Sequence, residues 1–406
     1  MTASLLLPVA DALAQMLAQV SPVSETEQVP LAQALDRVLA EPVLASFDVP
    51  GYDNSAMDGY AVRAAEVKAG QALTLQGSAL AGHAFAAALA PQSCVRIMTG
   101  AVLPAGADTV IMQEQVRLQD GKVIADFVPK VGENVRKAGE DLKNGQQVLS
   151  AGCRLTAPQL GLLASLGIAN VAVRRKLKIA IFSTGDELVL PGQPLPEGHI
   201  YDSNRVVLRA MLQRLGVEVL DLGLLPDQPA AIRSAFQSAM RDADALITSA
   251  GVSVGDADYT RQMLSELGHV NFWKVAIKPG KPFAFGKLEN CWFFGLPGNP
   301  VAAVVTLDQL VQPVLLKLAG AAVSPANQLT AVTTVTLKKR PGRADYQRGY
   351  YWATAEGLFV KTLGSQSSGM LSSIANANCY IVLPQDSGSV ASGEAVTIQP
   401  FGQLLQ

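Results

Sequence analysis

Three short segments of this chain combine glycine with hydroxyl, carboxylate or amide groups in the way anion-binding turns do. They are Thr184-Gly185-Asp186-Glu187, the run SAGVSVGDAD from Ser249 to Asp258, and Gly295-Leu296-Pro297-Gly298-Asn299-Pro300. Glycine lets a backbone approach a ligand closely and turn its N–H groups toward negative charge, so a phosphorylated ligand is the expectation. In the second segment Ser249, Gly251, Ser253 and Gly255 are the candidates, although the run matches neither the Walker nor the dinucleotide fingerprint. In the third, Asn299 suits an N-cap and Pro300 the first helical position. That would aim a helix N-terminus at the ligand, though the same residues also make an ordinary cap.

Carboxylates and cations accompany these turns. Glu187, Asp227 and Asp258 are acids for a magnesium ion, which needs only one or two carboxylates beside substrate phosphates. Asp58 and Asp141 lie further upstream. Asp227 is an equally good N-cap for a helix beginning at Gln228. The stretch Trp273 to Pro282 interleaves Lys274, Lys278 and Lys281 with Trp, Pro and Gly, where no regular helix forms. An oxyanion or phosphate clamp is favoured there over a solvated charge run. Arg343, Arg348 and the hydroxyls of Gly364 to Gly369, Ser368 among them, offer further donors suited to an oxyanion, though taken alone they also read as turn residues and surface charge.

What must position these residues is an alternating stretch. After Arg175, KIAIFS, VEVLDL, DALITS and WFFGL read as buried strands, and 203–215, 228–241, 257–267 and 300–318 as helices. This is the grammar of βαβ units and a doubly wound parallel sheet, with ligands beyond the strand carboxyl ends. The apolar spacing predicts helices over 8–20 and 30–40, and Thr156 to Gln159 is a capping box opening a helix over 157–166. The expected layout is multidomain α/β plus β. Residues 1–50 and 130–175 form a small helical/linker domain, 51–129 a β-rich insert, 176–327 the α/β domain and 328–406 a β-barrel-like domain.

Composition narrows the function. The 406 residues are 49% hydrophobic and only 16% charged, which supports several cores and excludes intrinsic disorder. Lys plus Arg number 32 against 34 for Asp plus Glu, so no global field draws the chain to nucleic acid or anionic membrane. The first basic residue is Arg37 and no uncharged apolar run reaches about 18 residues, so a cytoplasmic protein is expected. Cys94, Cys153, Cys291 and Cys379 form no CxxC pair and read as free, buried thiols. Three isolated histidines, His83, His199 and His269, argue against chemistry built on imidazole.

Seven motifs in order carry a resemblance. They are FDVPGYDNSAMDGYAV (47–62), IMTGAVLPAGADTVI (97–111), GENVRKAGED (132–141), FSTGDEL (182–188), SAGVSVGDAD (249–258), KPGKP (278–282) and GLPGNPVA (295–302). Together they resemble the MoeA family of molybdopterin molybdenumtransferases, which includes the gephyrin E domain, over essentially the whole chain. The resemblance implies an α/β domain of the molybdopterin-binding type in an elongated homodimer whose active cleft is shared between subunits. It implies that adenylylated molybdopterin and molybdate are converted, with magnesium, to molybdenum cofactor and AMP. A separate molybdopterin adenylyltransferase would act upstream, and apoproteins or cofactor carriers downstream. By motif position it implies that Asp58, Thr99, Asp141, Glu187, Asp258, Lys274 and Lys278 are catalytic and that Asp227 belongs to the site. Pro297 and Pro300 would shape the loop, and Arg348 and Ser368 would handle the oxyanion. A non-catalytic scaffold and a generic nucleotide hydrolase or adenylyltransferase are the competing readings.

Overall fold

Buried strands and amphipathic helices alternating after residue 176 build a six-stranded sheet. A computed structural model describes residues 6–249, 264 and 266–405. Its strands are β7 (Lys178–Thr184), β8 (Glu218–Leu225), β9 (Ala245–Ser249), β10 (His269–Lys274), β12 (Pro282–Leu288) and β13 (Cys291–Leu296). β1 to β6 precede them and β11 is the short strand Ile277–Lys278. The order is β8-β7-β9-β13-β12-β10, with the first four parallel and β12 and β10 added antiparallel. The strand over 269–274 is one that sequence patterning missed, because its single pairing with β12 puts it at the sheet edge without a continuous apolar run.

Helices cover both faces. α1 (Val9–Gln19), α3 (Ser203–Leu215) and α5 (Pro300–Leu318) meet Ile179, Ile181, Ile247 and Phe294 on one side. On the other, α4 (Pro229–Asp242) buries Ile232 and Phe236 against Ala180, Phe182, Leu246 and Phe293. Consecutive strand residues thus feed opposite cores, as a sheet buried on both faces requires. α5 has the length and apolarity to cross a membrane, but 67% of its apolar window is buried, which makes it a core helix. Cys94, Cys291 and Cys379 are buried, and burial pushes each thiol up to about 12, so none is a thiolate at neutral pH. Cys153 is only half-buried.

Five strands close the C-terminal barrel: β14 (Leu329–Thr333), β15 (Ala344–Thr354), β16 (Gly357–Thr362), β17 (Cys379–Leu383) and β18 (Ala395–Pro400). The ring runs β15-β16-β14-β18-β17 and returns to β15, so none of its strands is left as an edge. β11 attaches outside it, parallel to the start of β15.

By compactness the chain divides in two. One unit takes Asp36–Ala40, Ala172–Gln406 and the stretch ending at Glu27; the other takes Gln28–Leu35 and Glu41–Val171. The second holds a six-stranded sheet of β1 (Gly59–Val62), β2 (Ala72–Ala79), β3 (Ser93–Ile97), β4 (Thr109–Met112), β5 (Val116–Gln119) and β6 (Lys122–Ala125). Its order is β4-β1-β3-β2-β6-β5. It also holds α2 (Ala157–Ser165), opened by the Thr156/Gln159 capping box. The helix expected over 30–40 is absent. Leu31–Gln33 forms one 3-10 turn, Asp36 adopts φ 62, and Leu39 bridges to Val173. A left-handed residue cannot continue a right-handed helix, and pairing with a distant segment overrides local propensity.

Candidate active site

The parallel strands β7, β9 and β13 all end at one rim, and beyond it lies a cavity of about 770 Å³ lined by Thr184, Glu187 and Ser249 from that rim. This is within the usual range for small-molecule sites, beyond the strand carboxyl ends where an α/β fold puts them. Pro297, Gly298, Asn299 and Pro300 form one wall, Lys278 and Lys281 another, and Arg343 with Gln366, Ser367 and Ser368 of the barrel a third. Sequence candidates from six separate segments, at 184–187, 249, 278–281, 297–300, 343 and 368, thus share one cavity with a cationic, hydroxyl-bearing surface.

Local geometry accounts for the walls. Pro300 occupies the first turn of α5 and Asn299 the cap position, but the Asn299 side chain makes no capping hydrogen bond. The Val301 N–H donates to the Ser368 carbonyl at 3.0 Å, so part of this helix terminus serves the barrel loop and not a ligand. Asn204 Nδ2 donates to the Gly298 carbonyl at 2.7 Å and ties α3 to the same turn. Asp202, 1% exposed, caps α3 by accepting from the Arg205 N–H and also accepts from the Ser183 hydroxyl at 3.1 Å. Both residues line the cavity and both escaped sequence reasoning; Asp202-Ser203-Asn204 at the head of an expected helix was the available signal.

On the lysine wall, β11 places Lys278 opposite Asp345 of β15, and Lys278 Nζ donates to Asp345 Oδ2 at 2.9 Å. Gly280 follows with φ +116, and a Cβ there would lie 2.5 Å from Thr306 Oγ1 of α5. Gly280→Ala is therefore expected to destabilise the fold by about 1–3 kcal/mol through backbone strain and overpacking. An unchanged thermal midpoint would mean that the turn relaxes freely. Lys274 is exposed at the end of β10 and does not line the cavity.

The carboxylates gather at the rim. Glu187 is exposed just after β7, and Asp227 precedes α4, whose cap position is Gln228. Asp227 is therefore not the cap it resembles in sequence. Burial first, then the negative charges of Asp186 and Glu187, push its carboxyl above the ordinary range. No group of three or more His, Cys, Asp or Glu side chains among the described residues forms a metal-ligating arrangement. Asp258, Gly251, Ser253 and Gly255 lie outside the described residues.

Three family models match the chain in order: the MoeA N-terminal region (domain I and II) over residues 7–167, a probable molybdopterin binding domain over 180–317, and the MoeA C-terminal region (domain IV) over 330–401. The chain belongs to the MoeA family. It is 50% identical to a molybdopterin molybdenumtransferase of Haemophilus influenzae across 96% of this chain and 98% of the relative. A gephyrin of Dictyostelium discoideum is 31% identical across 98% of this chain and 62% of its own length. A solved molybdopterin biosynthesis MoeA protein from Pyrococcus horikoshii OT3 superposes with a TM-score of 0.85 at 29% identity, covering 98% of this chain and 100% of that one. The chain is thus an enzyme of molybdenum cofactor biosynthesis, with the α/β and β-rich architecture of a MoeA protein.

The remaining MoeA-type candidates divide between the two units. Asp58 and Thr99 are exposed in the second unit, where Asp58 Oδ1 accepts from the Thr99 N–H at 2.7 Å and from its hydroxyl at 2.8 Å. These bonds hold the Asp58 carboxyl below its ordinary range. Asp141, in the same unit, is exposed and its N–H donates to the Val49 carbonyl. Arg348 departs from the expectation of an oxyanion ligand. It has no exposed surface, and its guanidinium donates to Ser373 Oγ and to the Ser367 carbonyl, both at 3.1 Å. It supports the loop over 364–369 from behind, on the outer strand face that Tyr346 and Tyr380 carry into the core shared with the α/β domain. Arg343 is the barrel arginine that lines the cavity.

Proposed function

We propose that this enzyme inserts molybdenum from molybdate into adenylylated molybdopterin, with magnesium-dependent cleavage of the phosphoanhydride and release of AMP. The observation that carries the reading is the cavity itself, where two lysines, an arginine and a serine-bearing loop converge at the strand ends of a MoeA-family α/β domain. Molybdate is a tetrahedral dianion, and Lys278, Lys281, Arg343 and the Ser367–Ser368 hydroxyls suit its oxygens as they would suit phosphate. The turn over 297–300 borders the nucleotide side. Glu187 and Asp227, with Asp258, would hold magnesium: their oxygen donors suit it, and the charges of Asp186 and Glu187, which add to burial in raising the Asp227 carboxyl, are what a divalent cation would relieve. When bound, the ion would supply neutralisation of charge on the pyrophosphate. The lysines then steady the anionic oxygens as the leaving phosphate gains charge.

In this reading Lys274 contributes from outside the cavity wall, and Asp58, Thr99 and Asp141 serve the cleft of the other chain in a homodimer. A separate adenylyltransferase supplies the substrate, apoproteins or carriers take the product, and the setting is cytoplasmic. Purified protein given adenylylated molybdopterin, molybdate and magnesium is expected to release AMP. Absence of AMP with authentic substrate would reject the reading, and adenylylation of molybdopterin from ATP by this chain alone would favour an adenylyltransferase. Glu187→Gln is expected to lower turnover more than substrate affinity, because charge neutralisation matters most in the transition state. Equal losses in both would assign Glu187 to ground-state binding.

A further inference from the structure

We propose that Asp345 is a positioning residue of the oxyanion site, a buried barrel carboxylate that tethers the Lys278 ammonium at the cavity wall. The inference rests on the reading of Lys278 as an anion ligand and extends it. Asp345 is the register partner of Lys278 across β11 and β15. Its side chain is 2% exposed where that of Lys278 is 39% exposed, and Oδ2 accepts from Lys278 Nζ at 2.9 Å. The same oxygen accepts from Gln347 Nε2 at 3.1 Å, and Gln347 Nε2 also donates to the Lys338 carbonyl. Oδ1 is buried with no hydrogen-bond partner.

A counter-ion kept only for the fold would be expected to engage both oxygens, because an unpartnered buried acceptor on a charged group is costly. This one makes both of its bonds through Oδ2, one holding Lys278 and the other, from Gln347, fixing the carboxylate that holds it. A free lysine side chain loses rotamer freedom when a ligand immobilises it, so a preformed tether removes part of that cost before binding. An ammonium has three donors; one goes to Asp345, and two are left for an anion. Lys339 and Arg348 also feel the Asp345 charge, which works against the burial that lowers both. Asp345 therefore has a structural duty as well, and the test must separate the two.

The experiment is a double-mutant cycle read by equilibrium binding of molybdate to the full chain: wild type, Asp345→Asn, Lys278→Ala and the double variant. Asp345→Asn is expected to weaken binding about tenfold, as loss of a partner orienting a charged ligand group does. Lys278→Ala is expected to weaken it at least as much. In the Lys278→Ala background the Asp345 change should have less than about a twofold further effect, since the tether then holds nothing. If Lys278→Ala binds molybdate normally, the reading of Lys278 fails and this inference with it. If Lys278→Ala weakens binding but Asp345→Asn does not, or if the two losses simply multiply, the tether alone is wrong. Should Asp345→Asn not fold, Asp345→Glu carries the same cycle, keeping the charge while displacing the carboxylate by one methylene.

Discussion

Lys278→Ala is expected to lower turnover by on the order of 100-fold or more, the usual cost of deleting one donor from a preorganised oxyanion site. Lys278 lines the same cavity as the 297–300 turn and the Gln366–Ser368 segment, with its ammonium already held at Asp345. The change also strands the Asp345 carboxylate, which is nearly inaccessible to water, so the thermal midpoint should fall as well. Rates therefore have to be compared at a temperature where circular dichroism finds both proteins folded. A near-normal rate under those conditions would return Lys278 to an ordinary structural ion pair.

Mixing two inactive variants is expected to recover activity. If the proposed homodimer shares its clefts, Asp58 from one chain serves the same site as Lys278 from the other. Asp58→Asn and Lys278→Ala chains, unfolded together in equal amounts and refolded, pair at random, so about half of all dimers are mixed. Each mixed dimer then collects both lesions in one cleft and none in the other, and activity should return to about a quarter of wild type. If both residues serve a site within one chain, every cleft keeps a lesion. A mixture that stays inactive, once mass spectrometry has verified mixed dimers, would exclude the shared cleft.

Much of the architecture was legible in the chain because it depends on local periodicity. The helices over 203–215 and 300–318 and the four parallel strands follow from apolar spacing, caps and glycine punctuation, all carried within a dozen residues. The gathering of Glu187, Ser249, Lys278, Lys281 and the 297–300 turn was legible for a related reason, since parallel strands must end on one side and their following turns must meet there. Seven ordered motifs added the family and, through it, a chemistry that no spacing rule contains.

What the sequence could not decide was which polar residue faces the cavity and which faces the core. Arg343 and Arg348 stand five positions apart in one polar stretch, PGRADYQRG, and nothing local tells the exposed one from the buried one. Asp345 between them carried no local signal of a site, and Asn204 looked like part of a helix start. Asp227 looked like a cap, and the N-terminus of α5 like a free anion site until the Ser368 carbonyl took its Val301 N–H. Each of these outcomes was set by register between segments tens of residues apart: β11 against β15, α3 against the 297–300 turn, and the 364–369 loop against α5. Local propensity is blind to such pairings, because their energy appears only when distant backbones meet, and the closed barrel and buried sheet then assign each side chain to water or to the core.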